Sequence, residues 1–272
     1  MTSKLSVCFF GQDKEILESL LPQFRKKGLE IDIAFETQES ELINESYLLS
    51  LPFDAFRFSI EYSEQVYANL KEKPSVLKFE KSVDFMEKKN HQVWGSNIFR
   101  QGFLHAISHH CKSLDFGSPA LVLGIGPQIR AGLSVLIELG YRKIYIVDYN
   151  DIRLEIETLK KIFLGVEFNV FSSENIVLQP GIFSILLSSI DLKPGDALLA
   201  DLLYFNYLKP NGAIIQLSNS LPEDPLLIEA KAISTKVLSL REISIHTEFS
   251  WIQKYLPLSS FEKNEILGLP QL

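Results

Sequence analysis

The chain is poor in sulfur, with two cysteines, Cys8 and Cys111, and two methionines among 272 residues. Two isolated cysteines without a CxxC spacing exclude a multi-disulfide framework and give no paired-thiolate metal site. Long apolar runs are also missing. None reaches the roughly 18 residues of a membrane-spanning helix, and the apolar stretch in "MTSKLSVCFFGQDKE" is too short for a signal peptide. Basic charge is scarce: 27 Lys and Arg face 34 Asp and Glu, a formal net charge of −7. Nucleic acid and anionic membranes both require a basic footprint, so neither is an expected partner. The expectation is a soluble, cytoplasmic protein, a monomer or homodimer whose partner is a small molecule. With 46% hydrophobic and 22% charged residues, the chain is too apolar for disorder and can bury a sizeable core.

The first third alternates strand and helix patterns. "KLSVCFF" reads as a short buried strand, and "DKEILESLLPQFRKKG" has helical spacing closed by Gly28. "LEIDIAFE" alternates as a half-buried strand does. "ELINESYLLSLP" reads as a helix and "AFRFSIEY" as a strand, with Ser63 the expected N-cap of a helix over "SEQVYANLKEK". The order βαβαβα is that of an open α/β layer. "EKKNH" at 87 to 91 marks a charged hairpin turn.

Residues 95 to 103, "GSNIFRQGF", form a bend before the clearest local signal, "PALVLGIGPQIRAGLSVLIELGYRKIYIVDYN". Here a buried strand runs into a Gly-x-Gly turn, a helix and a second buried strand, and strands buried on both faces read as such unbroken apolar runs. Gly124 and Gly126 let the backbone turn tightly and approach a pyrophosphate at the helix N-terminus. Asp148 stands about 20 residues on, where a carboxylate binds ribose hydroxyls and repels a 2′-phosphate, which favours NAD over NADP. Pro127 removes one N–H, the third glycine position of the fingerprint holds Ile129, and Gln128 and Tyr149 complete the candidate nucleotide set. S-adenosylmethionine, the other common tenant of such a unit, usually meets an acidic residue near the glycines, and "LVLGIG" has none. Further strands are expected at "EFNVF", "FSILLS" and "AIIQLS".

The order of these motifs along nearly the whole chain resembles the shikimate dehydrogenase family. "FRFSIEYSEQV" is similar to Asn-Val-Thr-x-Pro-x-Lys, "SVDF" to Ala-Val-Asn-Thr, and "GSNIFRQGF" to Gly-x-Asn-Thr-Asp-x-x-Gly-Phe. "GIGPQIRAG" is similar to Gly-Ala-Gly-Gly-x-x-x-Ala, and "DPLLIEAK" to Thr-Pro-Leu-Leu-x-x-Ala. The resemblance implies an α/β protein of two domains. Residues 1–98 with about 243–272 would form a substrate domain, and residues 99–242 a Rossmann-type NAD(P)-binding domain, with the bend as hinge and one wall of a cleft.

The family's chemistry does not carry over. Its catalytic lysine falls on Ser63, its partner aspartate on Phe99 and the adjacent threonine on Ile98, while its Asp-x-x-Tyr becomes Gln216 and Asn219. A reversible alcohol oxidation needs a group that moves a proton, and a serine beside a phenyl ring supplies none unaided. The remaining polar set offers Arg57, Ser59, Asp84 and Asn97 for substrate, with Tyr62, Ser63 or His246 as candidate acid/base groups. Arg57 could grip an anion, or it could pair with Glu61 on the same face of a strand. Three functions remain open: an NAD(P)-dependent oxidoreductase acting on a small polar, anionic molecule other than shikimate, a non-catalytic ligand-binding or regulatory protein, and, more weakly supported, an S-adenosylmethionine-dependent transferase. His105 and His109 share a helix face without a carboxylate at ligand spacing, so no metal is expected. Trp94 and Phe99 read as core or cleft wall rather than a stacking platform.

Overall fold

The computed structural model describes residues 3–11, 15–36, 42–147, 153–178, 180–218, 224–256, 258 and 265–266. The chain divides into two compact units, Met1–Phe103 with Ser244–Leu272, and Leu104–Ile243.

Unit 1 contains β1 (Ser3–Phe10), α1 (Glu15–Lys26), β2 (Leu29–Glu36), α2 (Glu45–Ser50), β3 (Ala55–Phe58), α3 (Ile60–Asn69), β4 (Phe85–Lys89) and β5 (Gln92–Ser96). Its sheet runs β2-β1-β3-β4-β5, parallel through the first three strands and antiparallel at the last two. β1 shows why "LSVCFF" is unbroken. Leu5, Val7 and Phe9 enter one buried cluster with Leu17, Phe24 and Trp251, while Cys8 and Phe10 enter another with Phe56, Phe58 and Val66. Successive side chains of a strand point to opposite faces, and both faces are covered here. The charged hairpin is present between β4 and β5, where Asn90 and His91 take positive φ of 51° and 60°, the twist a two-residue hairpin turn demands.

Three local expectations are corrected. The strand over 55–62 stops at Phe58, because Ser59 turns the chain and Ile60 begins α3. Ser63 is therefore not an N-cap but a buried first-turn residue whose hydroxyl donates to the Ile60 carbonyl. Helix α2 is shorter than the pattern suggested, starting after Asn44, whose side chain accepts from the Tyr47 N–H. Trp94 is 60% exposed on the edge strand β5, and Phe99 is buried.

The bend resolves into the end of β5 and the start of α4 (Ile98–His110), with the division between units falling inside this helix. Gly102 has a packing reason: a Cβ there would lie 2.3 Å from Thr247 Oγ1 and 2.4 Å from Thr247 Cα.

Unit 2 contains β6 (Ala120–Leu123), α5 (Pro127–Glu138), β7 (Lys143–Val147), α6 (Arg153–Ile162), β8 (Glu167–Phe171), β9 (Phe183–Ser188), α7 (Ala197–Leu202), β10 (Leu208–Gln216), α8 (Pro225–Ala232) and β11 (Lys236–Ser239). α9 (Leu240–Ile252) begins here and carries the chain back to unit 1. The six described strands are all parallel, in the order β11-β10-β9-β6-β7-β8. β6 and β9 are buried at every position, which explains their continuous apolar sequences. Among the described residues no helix is long and apolar enough to cross a membrane.

Candidate functional site

Open α/β sheets bind ligands beyond the carboxyl ends of the strands where the strand order reverses. In unit 2 the chain steps from β6 outward to β7 and β8, then returns to β9 on the other side of β6. The reversal lies between the ends of β6 and β9, where Leu123 pairs with Ser188 and the turn at Gly124 and Ile125 meets Ser189. Gly124 takes φ of 99°, and a Cβ on it would sit 2.4 Å from Ser189 Oγ. Gly126 is the N-cap of α5 with φ of 111°, and a Cβ there would meet nothing within 4 Å. The first glycine is required by packing and backbone, the second by backbone alone, and the space over the second is open.

Pro127 occupies the first position of α5, where its fixed φ suits a helix and its missing N–H costs no helical bond. The N–H groups of Gln128 and Ile129 lie in the first turn, where an α-helix has no internal acceptor to offer them. Arg130 N already donates to the Gly126 carbonyl at 3.0 Å. The buried Ile129 side chain packs inward in place of a third glycine. At the end of β10, Gln216 is 2% exposed. Its Nε2 donates to the Ile190 carbonyl at 3.1 Å and to Asp224 Oδ2 at 2.8 Å. Asp224 in turn caps α8 through Leu226 N and Leu227 N. Gln216 Oε1 has no hydrogen-bond partner among the described residues. The open cap at Gly126 and the two first-turn N–H groups fit a dinucleotide. Asp148 and Tyr149, with Asn219, lie outside the described residues.

In unit 1 the reversal falls between β1 and β3, since β2 and β3 lie on opposite sides of β1. Its rim is Gly11, Ser59 and Glu61. Gly11 takes φ of 110°, and a Cβ on it would come 2.2 Å from Ser59 Oγ. Ser59 is the N-cap of α3, yet its hydroxyl does not cap the helix and donates instead to Glu61 Oε2. Glu61 is exposed in the first turn of α3, where the helix dipole favours a carboxylate. Tyr62 is half-buried beside it.

Arg57 does not pair with Glu61. Strand β3 ends before residue 61, so the two do not alternate on one strand. The Arg57 guanidinium instead donates from Nε and Nη2 to Glu248 Oε1 at 3.0 and 2.7 Å, and from Nη1 to the carbonyls of Phe58 and Asp84, both at 2.8 Å. Glu248 Oε2 accepts from Trp251 Nε1 at 2.7 Å. Asp84 places its two carboxyl oxygens on the amides of Ile98 and Phe99 at 2.6 and 2.7 Å, capping α4 from outside the helix. Burial pushes the Asp84 carboxyl above the ordinary carboxylate range, against the pull of Arg57 and the two helix amides, and Glu248 adds to the rise. Asn97 accepts from Arg100 N at 2.9 Å and donates to Ser82 Oγ at 2.8 Å. Arg100 lies 3.5 Å from the buried Glu80. His246 is buried on α9, and its carbonyl accepts from Ser250 Oγ.

Arg57, Asp84 and Asn97 thus belong to one hydrogen-bonded region of unit 1, while Ser59 and Tyr62 stand at the strand ends with Glu61. Sequence reasoning missed Glu248 and Glu80. A buried strand arginine does signal that a partner carboxylate must exist, but nothing local names a residue 191 positions away. The paired histidines of α4, His109 and His110, stack edge-on with centroids 5.1 Å apart.

Two sheets of this kind, one mixed and one doubly wound and parallel around a Gly-x-Gly turn, define a two-unit dinucleotide-type α/β protein. Solved structures narrow the class to the shikimate dehydrogenase fold. The dehydroquinate dehydratase and shikimate dehydrogenase of S. pombe matches 98% of this chain with a TM-score of 0.75 at 15% identity, and the chain spans 52% of that longer protein. The shikimate 5-dehydrogenase of Thermus thermophilus, solved with NADP(H) and shikimate, matches with a TM-score of 0.70 at 19% identity over 97% of this chain and 98% of its own. The Listeria monocytogenes enzyme, solved with shikimate and NAD, gives 0.72 at 12% identity over 97% and 96%. No protein-family model and no curated protein matches the sequence.

Proposed function

We propose that the chain is a divergent NAD(P)-dependent oxidoreductase-type protein on the shikimate dehydrogenase fold, acting on a small polar molecule that is not shikimate. The observation that carries this reading is the open Gly126 cap at the strand reversal of unit 2, beside the first-turn amides of Gln128 and Ile129. Neighbours of the same fold are solved with NADP(H) and with NAD. Gly124 and Gly126 would let the backbone approach a pyrophosphate, and those two amides would donate to it. Asp148 is the residue proposed to favour NAD over NADP. When bound, the nicotinamide supplies the hydride acceptor.

The protein's own part is to bind, orient and move a proton. Ser63, with its hydroxyl committed to the Ile60 carbonyl and 0% exposed, cannot do the last of these. Phe99 and Ile98 are buried hydrocarbon. Of the other candidates His246 is buried and Tyr62 partly accessible, so Tyr62 is the proposed proton-handling group. Calorimetric titration of NAD and NADP tests the reading, and binding of neither at millimolar concentration overturns it.

A second reading, a non-catalytic ligand-binding protein, is favoured by Ser63, Ile98 and Phe99 at the positions of the family's reacting groups. Turnover of any hydroxy compound with NAD(P) in a metabolite screen would count against it. Under either reading the natural chain gives no shikimate-dependent reduction of NADP, and Ser63→Lys with Phe99→Asp does not create it.

A further inference from the structure

Among the described residues each sheet ends in two edge strands. An edge presents a row of backbone N–H and C=O groups that another chain can pair with unless charge, proline or a bulge blunts it. Three of these edges carry charge: Glu30, Asp32 and Glu36 on β2, Glu167 on β8 and Lys236 on β11. The remaining edge, β5, reads QVWGS, with no charged residue and no proline, and its register with β4 runs unbroken from Gln92 to Ser96. Its central residue is the exposed Trp94.

The hydrogen bonds of β4 show which groups of β5 face outward. Lys88 N donates to the Asp54 carbonyl and the Asp84 carbonyl accepts from Phe58 N, which turns the backbone groups of Met86 and Lys88 towards β3. Phe85, Glu87 and Lys89 therefore turn theirs towards β5, onto Ser96, Trp94 and Gln92. The Ser96 carbonyl also accepts from Asp84 N at 3.2 Å. That leaves the N–H and C=O of Val93 and Gly95 on the open side of the strand. The side chains divide by face. Val93 packs against the cluster of Phe10, Phe58 and Val66, and a Cβ on Gly95 would lie 3.2 Å from Val83. Trp94 stands on the opposite face.

We propose that β5 is where two copies of this chain join, antiparallel about a two-fold axis through Trp94, so that their unit 1 sheets continue as one. Symmetry about residue 94 sets Val93 of each copy opposite Gly95 of the other. These two pairs exchange four N–H···O=C bonds through the groups that a single chain leaves open. Trp94 meets its own counterpart at the position of closest side-chain approach, where an aromatic pair stabilises a sheet. Charge favours a second copy at this edge. Each chain carries a net −7, and β5 brings no like charges together. Glu87, the carboxylate paired with Trp94 across the hairpin, is already held by Tyr255 OH at 2.5 Å and Lys89 Nζ at 3.2 Å. A five-residue strand with one large side chain falls below the size of a standard interface, so the dimer is weak and reversible. Pairing of this kind is independent of what unit 2 binds.

Sedimentation velocity of the full chain from about 1 to about 300 μM reads the association. The natural protein should shift reversibly from monomer to dimer over this range. Val93→Pro removes an N–H that faces outward and no ladder bond within the chain, so it should keep the protein monomeric throughout. Its folding is checked by its thermal midpoint. Trp94→Lys, an exposed substitution that keeps the test open if the proline variant does not fold, sets like charges opposite each other at the axis. It should raise the concentration of half-dimerisation at least about tenfold. A natural protein that stays monomeric at the highest concentration overturns the proposal. So does a dimer that forms equally well in either folded variant, because its interface would then lie elsewhere.

Discussion

The two strand reversals of this molecule have met opposite fates. In unit 2 the turn after β6 is bare: Gly126 has nothing within 4 Å of where a Cβ would be, and α5 starts with two N–H groups for which the helix has no acceptor. In unit 1 the corresponding place is filled by the protein itself, with Ser59 against Gly11 and Glu61 over the start of α3. The contrast separates two ways of building a site. A site made of backbone survives as long as its glycines do. One made of side chains can be rewritten residue by residue while the sheet beneath it stays intact.

If unit 1's polar residues have become structure, removing one should cost stability before it costs binding. The largest effect is expected for Arg57→Ala, which leaves Glu248 buried without its cation. About 3–5 kcal/mol of unfolding free energy should be lost in urea denaturation, the usual range when one partner of a buried pair is removed. A loss below about 1 kcal/mol would show that the ion pair is not integral to the fold. Gly102→Ala comes next, because the new Cβ would meet Thr247 backbone at 2.4 Å. Overpacking of this kind should cost about 1–3 kcal/mol.

Gly126→Ala sharpens the comparison from the other side. There is no clash, but φ of 111° with ψ of 178° is a region essentially only glycine adopts, so the stability cost should be about 1–3 kcal/mol while nucleotide affinity falls at least about tenfold. Equal nucleotide binding by this variant would remove the turn from the site.

Asp84→Asn tests the cap of α4 through pH. Burial holds the folded Asp84 above its unfolded value, against Arg57 and the two amides. Its titration therefore favours the folded state at low pH, and that contribution is lost as pH rises through the raised folded value. The natural protein should lose ground relative to Asp84→Asn as pH rises above the ordinary carboxylate range, read from thermal midpoints. A constant difference would contradict the burial argument. The smallest effect is expected at the exposed Lys4–Asp32 pair, 2.7 Å apart with side chains 66% and 53% exposed. Lys4→Ala should leave the thermal midpoint unchanged.

Strands and the dinucleotide turn were legible in the sequence because their signals are local. β2, β8 and β9 match their apolar patterns to the residue, and the double glycine before α5 fixes both the end of β6 and the start of the helix. The boundary between β3 and α3 was not legible. Phe56, Phe58 and Ile60 continue the alternation of a strand, and the N-cap Ser59 lacks the glutamate three residues on that would complete a capping box. The polar partners of unit 1 were hidden for a different reason. Arg57 and Glu248 meet through the fold, across 191 positions, and no periodicity links them. The sequence singled out Arg57, Asp84 and Asn97, yet held no sign that they share one hydrogen-bonded region.

On the proposed function, the glycine turn of unit 2 binds a dinucleotide while unit 1 does not bind shikimate. One calorimetric experiment on the full chain addresses both halves, titrating NAD and NADP and then shikimate into the saturated protein. Binding of at least one nucleotide, weakened in Gly126→Ala, with no heat from shikimate, is the expected result. No binding of either nucleotide at millimolar concentration, or shikimate binding to the loaded protein, would contradict it.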